Sequence, residues 1–229
     1  MMASISLTPK VSLLTKVATI LNNLPTMFME NILTITLFSG MAYLIGSFST
    51  AIMTCKIMGI EDPRNTGSNN PGATNVLRHG GKKAAIITLF GDMLKGLIPV
   101  LIVVQFQADN LTIGLVGLLA LLGHVFPVYY GFKGGKGVAT YYGAILGINW
   151  QVGLIALAIW LIVAVLLKIS SLSALVSILL TPLVLWHFSQ SFELCSAVAL
   201  MSLIVFWRHK RNIKSILKGS EVKIGKSAK

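Results

Sequence analysis

Val152-Gly-Leu-Ile-Ala-Leu-Ala-Ile-Trp-Leu-Ile-Val-Ala-Val-Leu-Leu167 carries no charged, amide or hydroxyl side chain, and Lys168 closes it. A helix of roughly 20 apolar residues crosses a hydrocarbon core about 30 Å thick, and this run with its flanks fits one crossing. The pattern repeats outward. Toward the N-terminus lie Val138–Ile148, Leu111–Tyr130, Ala84–Val104 and Ile32–Ile57, and toward the C-terminus Leu172–Phe188 and Phe192–Trp207. The expectation is an all-α, polytopic membrane protein of about seven transmembrane helices, Val138–Ile148 being short unless its helix starts in the glycines before it.

Composition agrees. Hydrophobic residues make up 55% and charged residues 11% of the chain, and the mean hydropathy is +0.80. Soluble domains carry about 25% charged residues. The net charge of +12 does not point to nucleic acid, because Lys and Arg punctuate apolar runs or crowd the tail instead of lining one basic helix. Arg64, Arg78, Lys82 and Lys83, then Lys133 and Lys136, then Lys168, then the tail occupy alternate connections. The connections between, near Asp109, Asn149 and Glu193, carry no Lys or Arg. Positive-inside asymmetry therefore puts the N-terminus outside and the C-terminus in the cytoplasm, against only Lys10 and Lys16.

Residues 1–30 read as an N-terminal extension, with Leu13–Leu24 a candidate amphipathic helix and no compact apolar run of a secretory signal. Residues 31–229 read as a single integral-membrane domain with a basic cytoplasmic tail. Cys55 and Cys195, expected toward opposite membrane faces, read as buried small residues and not as a disulfide or a metal site. No metal and no cofactor is expected.

The inferred topology gathers Gly59–Lys83, Gly131–Gly137, Lys168–Ser173 and the tail on one side. Between Arg64 and Arg78 the first of these is rich in glycines, amides and hydroxyls, which suit an anion-binding nest, and the two arginines suit phosphate oxygens. Phe132-Lys133-Gly134-Gly135-Lys136-Gly137 stands before a helix whose free N–H groups would favour a phosphate, although its spacing is not that of a P-loop. Gly225-Lys226-Ser227 fails the same test. Asp92 and Lys95 lie on one helix face inside a span and should pair. His124 reads as a packing residue, and Ser170, Ser171 and Ser173 as helix caps or ligand contacts. No His is followed five residues on by Asp, and there is no Gly-x-Ser-x-Gly elbow, so chemistry here must rest on phosphate binding and electrostatics. A transporter would use a similar basic cleft, but no inverted repeat is evident and polar groups thin out toward the outer side.

Several motifs in order carry a resemblance. They are Gly46-Ser47, Arg64…Gly67-Ser68…Gly72-Ala-Thr-Asn75-Val-Leu-Arg78, Gly123-His124-Val-Phe-Pro127, Lys133-Gly-Gly-Lys136-Gly-Val-Ala-Thr140, Ser171-Leu-Ser173, and Arg208-His209…Asn212-Ile213…Gly219…Glu221. From Ala42 to Gly225 the chain resembles the bacterial acyl-phosphate-dependent glycerol-3-phosphate acyltransferase family (PlsY). The resemblance implies a seven-helix enzyme of the bacterial inner membrane with its active site facing the cytoplasm. It implies transfer of an acyl group from acyl phosphate to the 1-hydroxyl of glycerol 3-phosphate, giving lysophosphatidic acid and phosphate. It further implies catalytic roles for Ser68, Arg78, Lys136 and His209, and substrate binding by Ser47, Arg64, Asn75, Gly134, Gly135, Ser171, Ser173 and Asn212. The implied partners are the two substrates and the lipid bilayer, with no nucleic acid, and a monomer is compatible with this reading. Asn69 stands where the family usually has glycine. Asn is the next most tolerant residue of a left-handed backbone, so the loop is expected to keep its shape.

Overall fold

The computed structural model describes residues 32–224; the expectations for residues 1–30 and for Gly225-Lys226-Ser227 fall outside the described residues. The regular structure of the described residues is all helical, with α1 (residues 32–46), α2 (Thr50–Ile57), α3 (Ala73–Gln105), α4 (Asn110–Val125), a 3-10 turn (Val128–Tyr130), α5 (Val138–Ile148), α6 (Trp150–Leu167), α7 (Ser170–Ser189), α8 (Phe192–Arg208) and α9 (Lys210–Leu217).

Among the described residues, five segments are long and apolar enough to cross a membrane: Ile32–Ile57, Ala73–Gln105, Asn110–Tyr130, Trp150–Leu167 and Ser170–Ser189. A sixth forms if α8 and α9, bent by 62°, count as one span. α5 has 11 residues, about 16 Å at 1.5 Å per residue and short of the core thickness. Against the expectation of about seven crossings, the described residues thus hold five or six candidate spans and the shorter apolar α5. Exposed Leu161, Val165, Leu166 and Leu183 cover the outer surfaces of α6 and α7, as lipid-facing side chains do.

α5 is nonetheless central, because backbone approaches backbone there. A Cβ on Gly143 would lie 1.9 Å from Met93 O, and one on Gly96 would lie 2.2 Å from Thr140 O. Only hydrogens at both positions let α3 and α5 pack so closely, the device by which helices associate without a hydrophobic driving force.

Three boundaries differ from the sequence reading. α3 begins at Ala73, so Asn75, Arg78, Lys82 and Lys83 stand on a helix and not in a loop. Gly81, at φ 80, breaks this helix and separates its polar start from its apolar span. The first span breaks at Ser47–Ser49, where Ser49 Oγ accepts from Ile52 N at 3.4 Å and starts α2 anew. The tail is partly helical: α9 carries Lys210, Arg211 and Lys214 along with Ile213, Ile216 and Leu217, and a two-sided pattern of this kind suits a helix lying along an interface.

Candidate active site

The first loop is organised from within. Asn75 is buried; its Oδ1 accepts from Ser68 N at 3.1 Å, and its Nδ2 donates to Pro63 O at 2.9 Å and Thr66 O at 3.0 Å. Arg64 Nη2 meets Asp62 Oδ2 at 2.7 Å while Nε donates to both carboxylate oxygens. Hydrogen bonding from Arg64 holds the Asp62 carboxyl below the usual carboxylate range, and the same bond raises the guanidinium. Asn69 takes φ 55 and donates its Nδ2 to Arg64 O at 2.8 Å. The left-handed turn expected of a glycine is thus kept, and the amide adds a tie that glycine lacks. Two groups stay uncommitted. The Ser68 side chain is exposed, and Arg78 makes no hydrogen bond or ion pair among the described residues.

The glycine-rich loop is held from outside. α4 stops at Val125, and after Pro127 and the 3-10 turn the chain passes through left-handed Gly131 and Phe132. Gly135 N donates to His124 O at 3.2 Å. Arg208 clamps the other side, Nε donating to Gly135 O at 3.1 Å and Nη2 to Gly134 O at 2.9 Å. A Cβ on Gly135 would lie 2.2 Å from His124 Nε2 and 3.0 Å from Pro71 O, so this glycine is wedged between α4 and the first loop. The Gly135 N–H is taken by His124 O, which leaves the free N–H groups expected for a phosphate to the start of α5.

Lys136 leaves this loop and donates to Asn212 Oδ1 at 2.5 Å. Desolvation lowers its pKa to about 8, partly opposed by Glu221 and reinforced by Arg78, Arg208 and Arg211. Asn212 Nδ2 donates to Glu221 Oε1 at 2.6 Å, and Ser171 Oγ donates to the same oxygen at 2.6 Å. Ser171 is therefore a partner of the tail and not a cap; α7 starts from Ile169 with no side-chain cap. Ile224 N donates to Lys168 O at 2.7 Å, pinning the tail across the start of α7. His209, buried at the α8–α9 bend, pairs its Nδ1 with Val205 O at 2.8 Å, which makes Nδ1 the protonated nitrogen. Desolvation and then Lys136 push its pKa down to about 4, so the ring is neutral near pH 7.

The four polar pieces expected on one face do meet. Thr74 and Ser170 hydroxyls stand 3.5 Å apart, Gly135 abuts Pro71, and Lys136, Asn212, Glu221 and Ser171 form one chain of hydrogen bonds. A cavity of about 310 Å³ beside them is lined by Arg64, Asn69, Pro71, Phe132, Lys133, Gly134 and Arg208. Three expected substrate contacts serve the scaffold here. Asn75 fastens the first loop; buried Ser47 donates to Tyr43 O at 2.8 Å and accepts from Val128 N at 3.3 Å. Ser173, also buried, donates back to Ile169 O at 2.8 Å. Arg64 borders the cavity with its charge matched by Asp62. Reading by residue undervalued Arg208 and Glu221. Glu221 is the one acid after Arg208 in the chain, a signal that it has a cationic or amide partner.

The glycerol-3-phosphate acyltransferase family model matches residues 36–219. A glycerol-3-phosphate acyltransferase of Thioalkalivibrio sulfidiphilus is 54% identical over 188 residues, covering 82% of this chain and 93% of that protein. One of Methylococcus capsulatus is 50% identical over 184 residues, covering 80% and 93%. Among solved structures, PlsY (YgiH), an integral membrane glycerol 3-phosphate acyltransferase, superposes in its glycerol 3-phosphate form with TM-score 0.80 at 35% identity, covering 83% of this chain and 96% of that one. Its lysophosphatidic acid form gives TM-score 0.79 at 33% identity.

Proposed function

The chain belongs to the glycerol-3-phosphate acyltransferase family, and on that footing we propose that it moves a fatty acyl group from acyl phosphate to the 1-hydroxyl of glycerol 3-phosphate. The products are lysophosphatidic acid and inorganic phosphate, and the site faces the cytoplasm of a bacterial inner membrane. The observation that carries this reading is the Lys136 ammonium, which heads the hydrogen-bond chain through Asn212 and Glu221 to Ser171 and is influenced by the charges of Arg78, Arg208 and Arg211. Such a cluster suits two phosphate groups at once, that of the acceptor and that of the leaving group.

Acyl phosphate is a mixed anhydride whose phosphate leaves readily, so no acyl-enzyme is needed. The glycerol oxygen forms a bond to the carbonyl carbon, the acyl carbon–oxygen bond to phosphate breaks, and the hydroxyl proton passes to a phosphate oxygen. Lys136 and Arg78 stabilise the charge that gathers on the departing phosphate. Ser68, exposed beside Asn75, donates to a phosphate oxygen. Asn212, Ser171 and neutral His209 hold glycerol 3-phosphate, and orienting two substrates accounts for much of the rate. Orientation rests on charge: Asp109 caps α4 and Ser191 caps α8 at the end away from the cationic cluster, where the connections lack Lys and Arg.

The test supplies purified protein in lipid mesophase with glycerol 3-phosphate and either palmitoyl phosphate or palmitoyl-coenzyme A. Equal amounts of phosphate and lysophosphatidate from palmitoyl phosphate alone are expected. Equal turnover from the thioester would refute the donor assignment.

A further inference from the structure

Asp92 and Lys95 are buried in α3, their side chains 3% and 6% exposed, in a paired arrangement that needs an explanation. A buried ion pair is often no better for stability than apolar residues of the same volume. A pair kept inside a span is therefore expected to serve something besides bracing. Lys95 Nζ lies 2.9 Å from Asp92 Oδ1 and donates to Phe48 O at 2.7 Å. Phe48 sits in the break between α1 and α2, where the interrupted helix leaves carbonyls without helical donors.

Asp92 Oδ1 also faces His124 Nδ1 at 3.7 Å, packed against it but beyond hydrogen-bond length, and this buried ring nitrogen has no hydrogen-bond partner among the described residues. His124 is the residue that shapes the glycine-rich loop. Its carbonyl takes the Gly135 N–H, and its ring edge lies where a Gly135 Cβ would be. Lys136 is the next residue. A continuous set of contacts thus runs from Phe48 through Lys95, Asp92 and His124 to Gly135.

We propose that Asp92, Lys95 and His124 are positioning residues that fix the backbone at Gly135 and thereby the place of the Lys136 ammonium. None of the three lines the cavity or joins the hydrogen-bond chain from Lys136 to Ser171. This inference deepens the proposed acyl transfer and rests on it. The charge is needed to aim His124, not to bind substrate, so its loss shows in the chemical step and not in acceptor binding.

The experiment compares the full-length parent with the double variant Asp92→Asn/Lys95→Met, with His124→Gln and with Lys95→Arg, by steady-state kinetics and thermal unfolding. For the double variant, unfolding near the parental temperature, kcat down about tenfold or more and KM for glycerol 3-phosphate within about twofold are expected, on the basis that a tenfold change reflects a modest loss of transition-state contact. Lys95→Arg, which keeps the pair, retains kcat within about threefold. Parental kcat in a folded double variant would overturn the proposal, as would a KM that rises in step with the fall in kcat. Should the double variant not fold, His124→Gln decides: a fall of about tenfold at parental KM supports the network, and an unchanged kcat refutes it. A parent without turnover fails the acyl-transfer reading instead. Reductive methylation of Lys136, followed by mass spectrometry, then reads the network: a rate altered in the variants supports it and a parental rate overturns it.

Discussion

The two loops that approach Lys136 reach order by opposite means. The first loop fastens itself, with Asn75, Asn69 and the Asp62–Arg64 pair closing bonds within residues 62–75. The glycine-rich loop closes no side-chain hydrogen bond within itself among the described residues and is clamped by His124 on one side and Arg208 on the other. A self-fastened loop keeps its shape wherever it sits, leaving Ser68 and Arg78 free. A clamped loop has a shape only as part of the bundle, so its lysine is placed by helices far apart in sequence. The difference predicts that faults in the second loop propagate and faults in the first stay local.

Among changes that keep the Lys136 side chain, the largest effect is expected at Gly135→Ala. The added methyl collides with the His124 ring and the Pro71 carbonyl, an overpacking of about 1–3 kcal/mol. Unfolding temperature should fall and turnover drop by about a hundredfold, since small misplacements of a reacting group cost about that much. Asn75→Ala comes next. It leaves the Ser68 amide and the Pro63 and Thr66 carbonyls without their partner, about 1–3 kcal/mol, with a fall in turnover smaller than that of Gly135→Ala and no change in the Lys136 methylation rate. A change in that rate would show the two loops to be coupled.

Smaller is the response to pH. Lys136 is charged below its pKa of about 8 and neutral above it. If its charge assists phosphate departure, kcat/KM, which follows the free enzyme, declines as pH rises through about 8, whereas an unperturbed lysine would hold its charge to about pH 10. A pH–rate profile of the parent checks this directly. The smallest effect belongs to Asn69→Gly. Asn69 already has φ 55, so glycine relieves little and removes one exposed hydrogen bond. Turnover within about twofold and stability within about 0.5 kcal/mol are expected.

Much of this is legible in the amino-acid sequence. Apolar runs gave the spans, the Asp92–Lys95 spacing gave the ion pair, and the motifs gave the polar pieces that meet. What sequence concealed were partnerships. Asn75 and Ser47 look like ligand groups in a motif, and only packing shows their donors and acceptors turned inward. Ala73–Arg78 reads as loop because it continues a run of glycines, amides and Pro71, yet it opens α3. α9 follows a charged bend that reads as a solvated tail, while its Ile213, Ile216 and Leu217 give it an apolar side. Arg208 resembles an ordinary stop-transfer charge until Gly134 and Gly135 are seen to accept from it.

The most direct measurement is turnover of palmitoyl phosphate and glycerol 3-phosphate by Lys136→Ala in lipid mesophase, with thermal unfolding as the control for folding. Loss of about a hundredfold or more in kcat, the scale for removing a transition-state charge stabiliser, from protein that unfolds near the parental temperature is the expected result. Parental turnover from that variant would contradict the placing of the chemistry at Lys136.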